Sequence, residues 1–553
     1  MNLSMFRKDG LLEVMFSDHR TSFKNGRSKW SVFFQVFFYL ICFEAAIVKA
    51  SAYYCINHTC ICTKKTETID GRSESLLFVD CHDRNIYGFP EKLLMKDVLD
   101  ATTVDLSENM ITSLPKNMLF NQIYLKRFIL YNTTLDQVDE ACFNVSRRQR
   151  SPMSSPLQHI DLRDNNLNAI PSCFGERSRS DSISTMENVK TLLLGGNFYL
   201  SGMSDQSLAG VRNIQRLDLS RSSIRILPHL LLKFHVQLVD VDLSHNALKS
   251  IPNVFFVRNT KLLLVRLNAN LLRRIPSKLP KGLEELLLAL NKITFVNTQD
   301  VVALQRLQKL KILDLSQNGI QFIASSAFYK QIELVYLDLS QNALDSIGMS
   351  TFDGANKLEF LFLENNKRLS FVAKTTFSVL PRLQFLFIFG CSLTTLNLIE
   401  ETEIEKVSPL KSIWFFDNPV ICNCKIIPFI RHLKNNKIEL DKPISGINIS
   451  VTNPRVKMAV MAKLKDYSFK ISPSVCISPT NRFKTVVGRK ILEIPENYMT
   501  CPDEPFYVIV SILLGIASFA FVIPLMYILI ALYLFIIKLG KKHFGWTLHE
   551  KED

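Results

Sequence analysis

Cysteine is the residue best placed to do chemistry in this 553-residue chain, and eight of its twelve cysteines form two groups of four. Cys55, Cys60, Cys62 and Cys81 are spaced C-x4-C-x-C-x18-C, and Cys422, Cys424, Cys476 and Cys501 follow far downstream. Such groups suit a tetrahedral zinc site or a pair of disulfides. The compartment decides between the two. Val32 to Phe43, VFFQVFFYLICF, follows Lys24, Arg27 and Lys29 and precedes Ala50-Ser51-Ala52. A short apolar run with a basic start and a small-residue end reads as a signal peptide, with an uncleaved anchor as the alternative. The leader before it is long, and a start at Met15 would make it ordinary. An oxidising compartment favours disulfides. Cys42 leaves with the signal peptide. Cys142 and Cys173 each precede a Phe at matching places, where a disulfide and two thiols are equally supported. The ten His are scattered, and no HExxH, phosphate-cradling glycine loop or nucleophile elbow is present. The expectation is a protein that is no enzyme and needs no cofactor or metal. Asn57, Asn132, Asn144 and Asn448 open Asn-x-Ser/Thr glycosylation acceptors.

The elements that position these groups come from a repeat, LxxLxLxxNxL, where x is any residue. Clear copies begin at Leu157, Ile214, Leu238, Leu283, Leu310 and Leu334. With weaker copies there are thirteen, whose ninth positions are Asn109, Thr133, Asn165, Asn197, Ser222, Asn246, Asn270, Asn291, Asn318, Asn342, Asn366, Cys391 and Asn418. The LxL segment alternates, so its leucines face one side of a strand. The ninth residue stands where the chain leaves the strand, and its side chain can bond backbone groups that the bend leaves unpaired. A Phe recurs about ten residues on, as Phe328, Phe352 and Phe377, to fill the convex side. One turn cannot bury its own leucines, so stacked neighbours must share a core. Strands near 4.8 Å apart give a parallel sheet about 60 Å long. Two polar insertions, after Ser146 and Gly175, read as surface loops, and Arg147 to Arg150 offers an R-x-x-R that chance also explains.

Repeats flanked by these cysteine groups resemble the extracellular leucine-rich-repeat transmembrane proteins, the family of Toll-like receptor ectodomains and neuronal leucine-rich-repeat adhesion receptors. The resemblance covers roughly residues 53–505. It implies an α/β repeat solenoid: a horseshoe with a parallel concave sheet and disulfide-rich N- and C-terminal caps. It also implies that the first cysteine of each cap pairs with the third and the second with the fourth, hence Cys55–Cys62, Cys60–Cys81, Cys422–Cys476 and Cys424–Cys501. One departure stands out. The intracellular signalling domain of the Toll-like receptors has no counterpart here, so any signal passes through a co-receptor.

Phe506 to Ile537 carries no charge and is long enough to span a bilayer, and Lys538, Lys541 and Lys542 follow it at once. The expected division is a signal peptide over 1–52, an N-terminal cysteine cap over 53–97, repeats over 98–417 and a C-terminal cysteine cap over 418–505. A transmembrane helix over 506–537 and a cytoplasmic tail over 538–553 complete a single-pass type I protein of the plasma membrane. The net charge is +15; residues 1–52 hold +3 and the tail +1, which leaves +11 outside. A basic exterior suits acidic partners such as sulfated glycans, or a solvated surface.

The outward strand positions should line the concave face, and in the last repeats they turn aromatic: Tyr336, Phe360, Phe362, Phe385, Phe387, Phe389, Trp414 and Phe416. In-register stacking would align Phe362, Phe387 and Trp414 in one column, Phe389 and Phe416 in a second, and Tyr336, Phe360 and Phe385 in a third. Exposed, they would be a ligand-binding surface; the alternative is cover by the C-terminal cap, Lys425 to Ser474, folding back. Asp218, Asp242, Asp314 and Asp338 in the LDLS-type strands are given no special role. The function expected is recognition of an extracellular protein or acidic glycan, as receptor, co-receptor or adhesion molecule, with homodimers admitted. The alternative is an auxiliary subunit that modulates a channel or transporter through Gly515, Ala517 and Ser518 of its helix.

Overall fold

The computed structural model describes residues 51–119, 122–143, 155–175, 186–395, 410–443, 451–476, 488–494 and 524–539, apart from short stretches inside some of these spans, together with the strands Phe6–Lys8 and Leu11–Glu13. Most of the proposed signal peptide, residues 506–523, Cys142, Cys424, Cys501, Asn57, Asn144 and Asn448 lie outside the described residues.

Thirteen short strands, from Ala101–Asp105 to Ser412–Trp414, pair in parallel and in register, one per turn. Their central residues form one inward row. Phe128, Ile160, Leu192, Leu217, Val241, Val265, Leu286, Leu313, Leu337, Leu361, Leu386 and Ile413 are all buried. At the N-terminal end an antiparallel pair, Ser51–Cys55 and Cys60–Ile69, leads into Arg72–Asp80, which joins the parallel ladder. At the other end Glu439–Leu440 adds a last strand.

The ladder residues do what their position requires. Asn270 Nδ2 donates to the carbonyls of Leu243 and Leu267, while its Oδ1 accepts from the Leu248 amide at 3.0 Å. Each such side chain therefore ties two turns together through backbone groups that water cannot reach. At the substituted positions Thr133 Oγ1 donates to Asn165 Oδ1, Ser222 Oγ to the Ser220 carbonyl, and the Cys391 thiol to the carbonyls of Leu363 and Phe389. Burial pushes the Cys391 thiol up to about 12. On the convex side Phe328, Phe352 and Phe377 stack in a spine, with ring centroids 5.9 and 6.3 Å apart.

The 27-residue spacing from Asn291 to Asn318 accommodates a helix, α1 (Thr298–Gln305). Asn297 and Asp300 cap it reciprocally, and Asp300 also accepts from the Ile275 amide of the preceding turn. Both ends of the solenoid are closed. Cys55–Cys62 and Cys60–Cys81 staple the first cap and Cys422–Cys476 the second, as the resemblance implied. Helix α2 (Ile427–Asn435) seals the last turn with Phe429, Ile430 and Leu433. Residues 524–536 are helical, but among the described residues no helix is long and apolar enough to cross a membrane.

Candidate functional site

The register aligns the aromatic columns as their spacing requires. Phe362, Phe387 and Trp414 are strand partners, as are Tyr336, Phe360 and Phe385. Phe362 and Phe387 stack at 4.5 Å, Phe387 and Trp414 at 4.1 Å, and Phe389 and Phe416 at 4.3 Å.

Their exposure is a different matter, and here the expectation is corrected. All eight aromatic residues are at most 4% exposed. The covering element is helix α3 (Pro454–Lys465), which lies across the outward face of the last strands. Asn453 caps it by accepting from the amides of Arg455 and Val456. Val456, Val460 and Leu464, four residues apart, share one face and are buried against the aromatic columns. Fully burying such side chains contributes about 1.5–3 kcal/mol each. Tyr467, just past the helix, packs against Phe387 and Phe389. The second reading of the sequence, cover by the C-terminal cap, describes the molecule. A surface this apolar needs a partner, and the chain carries its own.

A charged lock accompanies this packing. Lys463 Nζ reaches Asp338 Oδ2 at 2.9 Å and Glu364 Oε1 at 3.1 Å, and it donates to Ser340 Oγ at 2.7 Å. Tyr467 O–H donates to Glu364 and Tyr336 O–H to Asp338. Burial alone would depress the Lys463 ammonium, but the Glu364 and Asp338 carboxylates outweigh it and raise its pKa. Burial raises Glu364 above the usual carboxylate range, against the pull of Lys463. Sequence reading missed this lock. A signal was present: Glu364 stands where the two preceding repeats have Ser316 and Ser340.

The recurring aspartates also acquire a reason. The Oδ1 atoms of Asp218, Asp242, Asp314 and Asp338 each accept from the backbone amide two residues on, at 2.9 Å. They hold the chain as it leaves the strand.

Ahead of α3 no element among the described residues covers the concave face, which is mixed in charge. Asp240 pairs with Arg266 at 2.7 Å and with Arg216 at 3.5 Å, and Asp161 pairs with Arg163 at 2.7 Å. His159 is half-buried among them; burial first, then Arg127, lowers its pKa. Where the open strip meets α3 there is a cavity of about 640 Å³. Its ladder side includes Asp240, Arg266, Glu285 and Asp314, and its helix side Arg455, Met458, Ala459 and Lys463. Burial, then the Asp338 charge, raises Asp314 to about 7; burial also raises Glu285. Among the described residues no cluster of His, Cys, Asp or Glu is arranged to hold a metal ion. Asn132 is the one glycosylation acceptor in the described residues, and it is exposed in the left-handed region at φ 51°.

Leucine-rich repeat is the family whose profile matches the chain, at residues 308–367 and 332–393. The chain thus carries leucine-rich repeats, arranged as a solenoid of stacked parallel strands. No curated protein matches the sequence. Among solved structures, a leucine-rich-repeat protein of Leptospira interrogans superposes with a TM-score of 0.52 at 22% identity, over 65% of this chain and 82% of that one. The Toll–Spatzle complex of Drosophila matches at 0.46 and 20% identity, over 67% and 56% of the two chains. A complex of Latrophilin 3, Unc5D and FLRT2 matches at 0.44 and 18% identity, over 77% and 97%. At 22% identity the likeness to the Leptospira protein is one of fold.

Proposed function

We propose that the protein is a cell-surface recognition molecule whose ectodomain takes an extracellular protein on the part of the concave face that α3 leaves open. One observation carries this reading. The chain seals its own aromatic end with α3, and among the described residues nothing covers the strands before it, which end in a charged cavity. In this reading the site lies on strands His159–Asp161 through Ile312–Asp314, ahead of the eight aromatic residues. The carboxylates of Asp240, Glu285 and Asp314 suit a protein with basic side chains better than an acidic glycan. Membrane attachment through 506–537, type I orientation at the plasma membrane and signalling through a co-receptor belong to the same proposal. They are supported by the apolar run and the lysines after it.

The test displays the full chain on cells, selects binders from a panel of extracellular proteins, and compares two variants. The double variant Asp240→Lys, Glu285→Lys reverses charge on the concave strip. Phe295→Ser, Phe322→Ser alters two exposed rings that pair on the outer short-strand side. The proposal expects the first to abolish binding and the second to leave it intact. The opposite pattern would move the site to the outer side.

A further inference from the structure

The ladder sets two identical carboxylates side by side and fills only one. Asp314 and Asp338 are direct partners on adjacent strands. Both spend Oδ1 on the local turn. Asp338 Oδ2 then receives the Lys463 ammonium at 2.9 Å, and that ammonium also lies 5.6 Å from the centre of the Phe362 ring. Asp314 has no cation within 4 Å among the described residues; its hydrogen bonds there are to Ser316, both through Oδ1. Its carboxylate borders the cavity, whose apolar lining includes Leu264, Leu287, Ile312 and Met458.

We propose that this cavity is a seat for a lysine or arginine side chain of a protein partner, its cation on Asp314 as Lys463 sits on Asp338 and its alkyl stem against Leu287, Ile312 and Met458. This rests on the concave-face reading above. Two of the resident cations are committed elsewhere: Arg266 pairs with Asp240, and Lys463 is shared by Asp338 and Glu364. Arg455 lies 3.8 Å from Glu284, and its buried Nη1 makes no hydrogen bond among the described residues. The groups facing Asp314 from the strands are Asp338, Tyr336, Glu285, Asp240 and Arg266, and those from α3 are Lys463 and Arg455. An incoming cation favours the ionised carboxylate, so seating it expels a proton from Asp314, which titrates at about 7. Binding therefore strengthens as pH rises from 6 to 8, by about tenfold.

The experiment titrates the full chain at pH 6 and pH 8 with two capped tripeptides, Ala-Arg-Ala and Ala-Gln-Ala, followed by NMR. The proposal expects the arginine peptide to bind about tenfold tighter than the glutamine peptide at pH 8. The preference shrinks at pH 6 and disappears in Asp314→Asn, whose thermal midpoint is not lowered because an amide oxygen still accepts from Ser316. No binding of either peptide, equal affinities, or a preference that survives in Asp314→Asn would overturn it. That failure leaves the concave-face reading standing if a selected partner still responds to the Asp240→Lys, Glu285→Lys variant. Loss of that response sinks the broader reading instead.

Discussion

Phe387→Ala separates a structural aromatic face from a binding one. Phe387 is 1% exposed and stacked between Phe362 and Trp414, with Tyr467 against its ring at 5.8 Å. Truncating a buried Phe costs about 3–5 kcal/mol. Part of that loss falls on the strands and part on the seat of α3. If half falls on the seat, opening of α3 becomes easier by about 1.5–2.5 kcal/mol, which multiplies its open population by about 10 to 70. Hydrogen exchange read by mass spectrometry over residues 454–467 measures this directly. The expected result is exchange at those amides faster by that factor, with a lowered thermal midpoint. Phe371→Ala is the control: its ring is 59% exposed, and a surface change of that kind falls within about 0.5 kcal/mol. Unchanged exchange over 454–467 together with an unchanged midpoint would refute the reasoning, because the ring would then not be part of what holds the helix down.

Three further outcomes follow from the same geometry. Lys463→Met leaves Asp338 and Glu364 buried without their cation, and breaking such a pair costs about 3–5 kcal/mol, read as a lower denaturation midpoint at pH 8. The deficit should shrink as pH falls and Glu364, which burial raises, takes up a proton; a deficit independent of pH would argue that lost packing is the cause. Asn270→Ala strands the Leu248 amide and the carbonyls it served, at about 1–3 kcal/mol for each group left without a partner, so a midpoint equal to wild type would contradict the ladder account. Asp314 binds its proton more tightly folded, at about 7, than unfolded, at about 4, so its contribution to stability falls as pH rises through that window. Asp314→Asn should therefore flatten the decline of the thermal midpoint between pH 4 and 7, and a slope identical to wild type would remove that assignment.

The repeat was legible because its cause is local and recurs. Leucines alternate at strand spacing, a small polar residue closes each bend, and a Phe follows at fixed distance. Each copy therefore constrains the next, and the register of the aromatic columns could be read before any coordinates. The Cys55–Cys62, Cys60–Cys81 and Cys422–Cys476 pairings came from resemblance rather than from spacing, since four cysteines admit three connectivities. Exposure of the aromatic face was not legible. Strand alternation says which side Phe387 points to, but not what lies above it. The answer sits some seventy residues downstream, in Val456, Val460, Leu464 and Tyr467, outside the repeat and its periodicity. Lys463 and Glu364 escaped for the same reason. Their meaning is a contact about a hundred residues apart in sequence, and only the sealed end of the solenoid brings them together.

The central claim is that recognition occurs on the open strip of the concave face beside α3, with the aromatic end already occupied. Hydroxyl-radical footprinting of the full chain with and without a selected partner tests it most directly. Met458 on the rim of the cavity and Phe295, Phe322 and Phe371 on the outer short-strand side are all exposed reporters. The account predicts that the partner protects Met458 and leaves the three phenylalanines labelled as before. Protection of Phe295, Phe322 and Phe371 with Met458 still fully labelled would contradict it.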